Sequence, residues 1–484
     1  MLYTLVLFIA FLLALRYIKG FHTPYLSHWN SLAAFSIKFG VGLYFLYIYT
    51  AVYGNGSLSA DAGAFMNESA ILHKVFYTSP LDYFKLLFGF GDQEALVKLY
   101  LQDTSHWDSG AQAIVSDNRN ILRVHSVLHF ISFGDAARHV LVMCFISLMG
   151  IQQLFMGIRR HTDLRDSYVF WILTLFPSLL FWTSGLLKEP LLFLGIGLLV
   201  RAMLDALSLK KRLWLGTLGV LLILGFKPYV LICALPALLF YLGYRYVPRF
   251  KLLAAILLLL LPVALLFSFS SVRQKTAHVF SQKQYDFQNV GRGGLHAEGD
   301  SCFYFFEAWQ IPELNIEGDS VEIVHPMQIK TLQYGAMNDP VPATLEPEGE
   351  KWHIYFRNDR SDGFIRLEPI HDSFAQLLLN APEALLNSLF RPYVMDPGSW
   401  LKYPATLEVI GLYAFLLFAV FRRRAQSVRN QALIGALLVF ALCLSLTIGW
   451  VTPVIGAIVR YRIPVFAALL LIALLLIRSK KHTQ

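Results

Sequence analysis

Long apolar runs recur along the whole chain, and every second gap between them carries a cluster of lysine and arginine. The clusters are Arg16/Lys19, Arg159/Arg160/Arg165, Lys210/Lys211/Arg212, Arg245/Arg249/Lys251, Arg422/Arg423/Arg424/Arg429 and Arg478/Lys480/Lys481. Short loops rich in Lys and Arg stay on the cytoplasmic side of a membrane, because translocating them is unfavourable. The other gaps then face outward, and they hold most of the acidic residues, most of the histidines and the long polar stretches. Runs such as 252–269 are nearly uncharged and long enough to cross roughly 30 Å of hydrocarbon. An all-α polytopic membrane protein is the expected class, with its N-terminus outside and its C-terminus in the cytoplasm.

Composition agrees. Only 15% of the 484 residues are charged and 56% are hydrophobic, where a soluble chain carries about a quarter charged residues. The net charge of +9 lies largely in the inward loops, so it reads as a topology device with some attraction to anionic lipid. The basic clusters are short and not interleaved with aromatics on one face, which argues against nucleic acid. Cys144, Cys233 and Cys443 sit in apolar runs and Cys302 in an outward segment, so no disulfide framework or CxxC metal site follows. The first residues lack a basic leader and a small-residue cleavage site, and read as a retained span.

Hydropathy predicts about eleven spans, at 2–18, 32–53, 137–157, 168–187, 190–207, 213–226, 229–246, 252–270, 405–421, 431–448 and 454–477. Three regions follow. Residues 1–270 form an N-terminal transmembrane bundle with an outer loop at 54–136, containing amphipathic pieces around 81–90 and 121–133. Residues 271–372 form a small α/β or β periplasmic module, with short strands at 320–324, 352–356 and 363–367. Residues 373–484 hold interfacial helices and the C-terminal spans. No inverted internal repeat of the kind common in secondary transporters is visible. Prolines 177, 190 and 228 suit the first turns of helices, and the turns at 176–190 and 225–229 each place a cation at the outer boundary.

The outer loop opens with Asp61, and a helix starting there puts Glu68 on the same face about 10 Å along its axis. Such carboxylates can deprotonate an acceptor hydroxyl or hold a divalent cation. They can equally be a helix cap and a solvated surface charge. Arg119, Arg123, Lys188, Lys227, Arg391, Arg460 and Arg462 map to outward span ends, where orientation rules disfavour cations. Arg and Lys at headgroup level suit a phosphate or pyrophosphate; each can also snorkel, or pair with Glu189, Asp396 or Glu408. His125 and His129 can share a helical face, but no third metal ligand lies near them in sequence. His106, Asp108 and Asp117 read as solvated. No Walker loop, GxSxG or HExxH occurs, and the many aromatics near predicted interfaces read as an anchoring belt.

An acidic residue opening a large outer loop, a multi-span bundle, an outer module and Arg460-Tyr461-Arg462-Ile463-Pro464 before the last span resemble the GT-C superfamily of membrane glycosyltransferases. Segment 176–190 with Trp182, Lys188 and Glu189, and Phe390-Arg391-Pro392-Tyr393, resemble bacterial envelope proteins grouped with that superfamily. The resemblance implies a GT-C-like fold and a polyprenyl-phosphate-linked sugar donor, as in protein mannosyltransferases and aminoarabinose transferases. It gives Asp61, with Glu68, the catalytic acidic position. The outer cations, with Glu189, take the role of binding the lipid-phosphate substrate. Two departures stand out: the large loop follows the second span rather than the first, and Ala60-Asp61-Ala62 offers one carboxylate where the family carries a pair.

The expectation is therefore a glycosyltransferase of the bacterial inner membrane, facing the periplasm and moving a sugar from an undecaprenyl-phosphate-linked donor to an envelope glycan, lipid or protein. Asp61 would act either as general base or as ligand to a divalent cation, Mg or Mn, and the sequence leaves both roles open. A surface-polysaccharide polymerase or ligase would use the same lipid phosphate with Arg and His and no metal. A lipid or glycan transporter needs ionisable residues inside the bundle, and the span interiors read as nearly charge-free. A non-catalytic scaffold presenting the outer module is the remaining alternative.

Overall fold

The computed structural model describes all residues except 1, 22, 92, 103, 105, 108–115, 300–301, 334–335, 348, 424–427 and 478–484. Two compact units emerge: Met1–Leu235 with Leu416–Asn430 and Leu470–Gln484, and Pro236–Phe415 with Gln431–Leu469.

In the first unit, α1 (Leu2–Tyr17) and α2 (His28–Tyr47) are followed by α3 (Ala60–Thr78), α4 (Pro80–Phe88), α5 (Gln93–Tyr100) and α6 (Asp117–Ser132). Then come α7 (Ala136–Ile158), α8 (Asp166–Leu175), α9 (Pro177–Trp182), α10 (Glu189–Leu204) and α11 (Leu209–Phe226). A π-helical stretch, Ile48–Val52, prolongs α2. The core is built on α7, whose Leu141, Met143, Leu148 and Ile151 are fully buried. α10 lies close against α7 because Gly197 faces the Gly150 carbonyl, where a Cβ would collide. Small residues at such crossings let helices gain packing contacts that lipid cannot offer.

After α12 (Pro228–Tyr246), the second unit holds α13 (Lys251–Ser268) and α14 (Ser270–Arg292). Seven strands follow: β1 (Gly294–Glu298), β2 (Cys302–Phe306), β3 (Leu314–Glu317), β4 (Ser320–Ile323), β5 (Met327–Gln333), β6 (Ala336–Leu345) and β7 (Trp352–Asn358). They form an antiparallel sheet in the order β3-β4-β7-β1-β2-β5-β6. Period-two alternation sorts its side chains. Leu295, Ala297, Phe306, Val321, Ile323, Met327 and Ile329 form one core. Phe303, Phe305 and Leu332 form another with Tyr285 of α14. The chain ends with α15 (Phe374–Leu379), α16 (Ala381–Phe390), α17 (Lys402–Phe421), α18 (Val428–Val451), α19 (Ile455–Tyr461) and α20 (Ile463–Leu476).

Two of the three expected strands are β4 and β7, which pair with each other. The third, 363–367, is not a strand; Phe364 makes a single bridge to Val454. The expected module also opens on a long helix, α14, before any strand.

Among the described residues, six helical stretches are long and apolar enough to cross a membrane: His28–Val52, Ala136–His161, Pro228–Tyr246, Lys251–Ser268, Lys402–Phe421 and Asn430–Val451. A seventh arises if α19 and α20, bent by 49°, count as one broken span. The other expected spans have physical reasons to fall short. α1 and α10 have 16 residues each. Expected span 168–187 is interrupted at Pro177, which offers no amide hydrogen and obstructs the preceding turn. α11 includes Lys210, Lys211 and Arg212 at its start. The expectation of nearly charge-free span interiors fails at Lys38 of α2, which is fully buried.

Candidate functional site

α3 starts behind Ser59, its N-cap residue, which places Asp61 in the first turn rather than at the cap. A carboxylate there complements the partial positive charge of the helix start. Asp61 is half-buried, while Glu68, two turns on, is buried. Glu68 Oε1 lies 2.7 Å from His106 Nδ1, and Oε2 accepts the His106 backbone N–H at 3.2 Å. Phe65, one turn before Glu68, brings its ring to 5.6 Å from the His106 ring. The readings of Glu68 and His106 as solvated charges are thus corrected. Glu68 is in the interior, and an interior carboxylate needs a partner to offset its lost hydration.

The next group sits on α6, whose N-cap Ser116 accepts from the Arg119 amide at 3.4 Å. Arg119 and Arg123, four residues apart on one face, both lie over Trp107, at 5.3 and 5.5 Å from its ring. Both are buried. Arg123 Nε donates to the Leu86 carbonyl at 3.0 Å and Nη1 to Asn120 Oδ1 at 2.9 Å. Burial, and then repulsion from Arg119, push the Arg123 guanidinium down to about 10, so it remains charged at neutral pH. Lys188 enters from the turn before α10. Its Nζ donates to Asp117 Oδ2 at 2.7 Å and Asn118 Oδ1 at 2.5 Å, and lies 5.7 Å from the Phe65 ring. One phenyl ring therefore neighbours both His106 and Lys188. Asp117 is partly exposed, as expected, and also carries the ion pair with Lys188.

The remaining predicted cations divide. Lys227 Nζ donates to Glu189 Oε1 at 2.9 Å, and both side chains are buried, so Glu189 acts here as a counter-charge. In the second unit Arg391 pairs with Asp396 and donates from Nε to Asn387 Oδ1 at 2.8 Å. Arg462, fully buried, donates to the carbonyls of Ser388 and Arg391 and sits 4.2 Å from the Phe466 ring. Arg460 lies over Tyr461 at 5.8 Å. Of the set expected to act together, Arg119, Arg123, Lys188 and Lys227 belong to the first unit and Arg391, Arg460 and Arg462 to the second. Lys188, Lys227 and Arg391 each hold a separate carboxylate, as the pairing alternative required.

His125 and His129 belong to a cluster of four. His125 Nδ1 lies 2.9 Å from His139 Nδ1, and Ser132 Oγ is 2.5 Å from His139 Nε2. His129 Nε2 and Ser69 Oγ share a hydrogen bond of 3.0 Å, and His73 Nδ1 is 3.1 Å from the Ser126 carbonyl. Burial, more than mutual repulsion, lowers His125 to about 3 and His129 to about 4, and lowers His73. Among the described residues no group of three or more His, Cys, Asp or Glu is placed to hold a metal ion. Asp108 lies outside the described residues.

Comparison with protein-family models, curated proteins and solved structures returned no match to this chain. The chemistry of the site therefore rests on its own geometry. Sequence reasoning missed His106 as a partner, Trp107 as a platform and His73 and His139 as cluster members. The available signal was weak: an aromatic next to a histidine in a polar loop, with two arginines at helical spacing downstream.

Proposed function

We propose that this protein is a membrane glycosyltransferase that moves a sugar from a polyprenyl-phosphate-linked donor to an acceptor hydroxyl, at the group formed by α3, Trp107 and α6. One observation carries the reading: a buried carboxylate, Glu68, holds His106, and the adjoining Trp107 ring lies under two arginines that share one face of α6. A carboxylate on Nδ1 fixes the imidazole tautomer and leaves Nε2 as the basic nitrogen. In transfer, the acceptor oxygen attacks the anomeric carbon and Nε2 takes its proton. The bond from that carbon to the phosphate oxygen breaks, and the leaving lipid phosphate keeps the electron pair. Glu68 stabilises the imidazolium. Arg119 and Arg123 hold the phosphate, whose charge would relieve their repulsion, and Lys188 adds to the positive field.

Asp61 and Glu68 do not suit Mg or Mn. Both Glu68 oxygens are engaged by His106, and the described residues supply no third ligand. The mechanism accordingly runs through histidine and arginine. That donor set equally suits the polymerase or ligase reading, which needs the same lipid phosphate and no metal. Glycan analysis of a deletion strain separates them: loss of chain length identifies a polymerase, and loss of one sugar identifies a transferase. The reading also includes the bacterial inner membrane, with this site facing the periplasm.

The direct experiment uses the full chain in nanodiscs with decaprenyl-phosphate-linked sugars and follows release of decaprenyl phosphate. His106→Gln and Glu68→Gln should each slow release about 10²–10⁴-fold while the protein stays inserted. Wild-type rates in both variants would remove His106 and Glu68 from the chemistry.

A further inference from the structure

The first unit also buries a lysine that belongs to none of the groups described above. Lys38 lies near the middle of the 25-residue stretch His28–Val52, and its side chain is fully buried. Its Nζ donates to Thr183 Oγ1 at 2.8 Å. Ser147 of α7 donates to the same oxygen at 3.2 Å, and Thr183 donates onward to the Leu179 carbonyl at 2.5 Å. The elements around α2 bring few titratable groups to this point. α7 brings the Cys144 thiol, α1 brings Phe8 and Phe11 against Phe35, and α9 is apolar apart from Ser178. Among the described residues no carboxylate pairs with Lys38.

Simple helix-to-helix adhesion does not account for a lysine. Farther along α7 the same bundle joins its elements with an amide, Gln152 donating to Ser31 Oγ at 3.1 Å. An ammonium in hydrocarbon is far costlier than an amide, and ionisable groups kept there mark function. The partner of Lys38 is also irregular. Residues 183–188 are not helical, yet all are buried. Cys144 Sγ donates to the Ser184 carbonyl at 3.5 Å. A Cβ on Gly42 would come within 2.7 Å of that carbonyl, and a Cβ on Gly185 within 2.7 Å of the Phe45 ring. Two glycines thus let the broken segment press directly onto α2. Non-helical backbone at membrane depth persists only when enclosed by protein or lining water, and such breaks are where membrane proteins bind ions.

We propose that Lys38 and segment 183–188 form a proton-binding gate inside the membrane. The lone pair of Nζ takes a proton from water and becomes ammonium. The charge draws the segment off α2 until water reaches it, and return of the proton to water restores the packed arrangement. The segment ends at Lys188, so its movement shifts the cation that holds Asp117 and Asn118. This gate does not depend on the transferase reading.

The test uses the full chain with Cys233, Cys302 and Cys443 replaced by Ser, leaving Cys144 of α7, whose thiol donates to Ser184 of the segment, as the reporter. Alkylation of Cys144 by N-ethylmaleimide is followed by mass spectrometry in nanodiscs between about pH 6 and about pH 9. Thiolate chemistry alone makes labelling faster as pH rises. A one-proton gate opposes that rise, so the labelling rate of the protein retaining Lys38, divided by the rate in Lys38→Met or Lys38→Gln at the same pH, should be several-fold larger at the acidic end than at the alkaline end. A rate in the protein retaining Lys38 that climbs by the full factor of about ten per pH unit of free thiolate chemistry across the whole range overturns the proposal, whether or not the variants insert. Identical profiles in all three proteins would overturn it too.

Discussion

At the scale of single residues, pairing is what separates the predicted site from the observed one. Seven-residue spacing pointed to Asp61 and Glu68 on one helix face, and α3 provides that face. The spacing could not reveal that Glu68 turns inward to His106, 38 residues away, because no local period links a helix to a side chain on a later loop. Lys227 and Glu189 show the same limit. Each was read as a ligand for substrate, and each is buried against the other. Removing one member of such a pair strands the other charge in a dry interior, at a cost of about 3–5 kcal/mol. Glu189→Gln should therefore lower thermal stability in nanodiscs markedly, and the double variant Glu189→Gln/Lys227→Met should recover much of the loss. Equal losses in the single and double variants would show that the pair contributes no such coupling.

At the scale of elements, the outer loop was legible as amphipathic pieces, and α4 and α6 fall where those pieces were expected. The partner of α6 was less obvious. α3 packs on it through a polar seam, with Ser69 on His129 and His73 on the Ser126 carbonyl. A sequence pattern that scores apolar stripes passes over a seam made of serine and histidine. The seam has a pH consequence. Burial lowers His125, His129 and His73 below the ordinary value near 6.5, so between about pH 4 and 6.5 the unfolded chain binds more protons than the folded one. The stabilising contribution of the neutral rings is complete above the unfolded value and is lost as pH falls through this window. Protection against hydrogen exchange in 60–78 and 117–132, taken relative to the intrinsic amide rate at each pH, should fall from about pH 7 to about pH 5, more than in the sheet of the second unit. His129→Asn should flatten the difference. A uniform loss of protection across the chain would place the acid sensitivity elsewhere.

At the scale of the whole molecule, hydropathy indicates how much of the chain is apolar but not how many times it crosses. Eleven expected spans reduce to six sufficiently long ones, or seven with the bent pair, because proline and short helices interrupt runs whose composition alone looked continuous. The count matters through its parity. Eleven or seven crossings put the two ends on opposite sides, while six put them on the same side. The alternating basic clusters give an expectation independent of helix length, with 271–404 outside and the C-terminus inside. A reporter enzyme active only in the periplasm should work when fused after Lys351 and be silent after Lys481. Fused after Lys19, it should also be silent, because Arg16 and Lys19 form the first inward cluster. Activity after Lys19 together with silence after Lys351 would invert the chain. His106, Arg119 and Arg123 would then face the cytoplasm, and a periplasmic lipid-linked donor would no longer be within their reach.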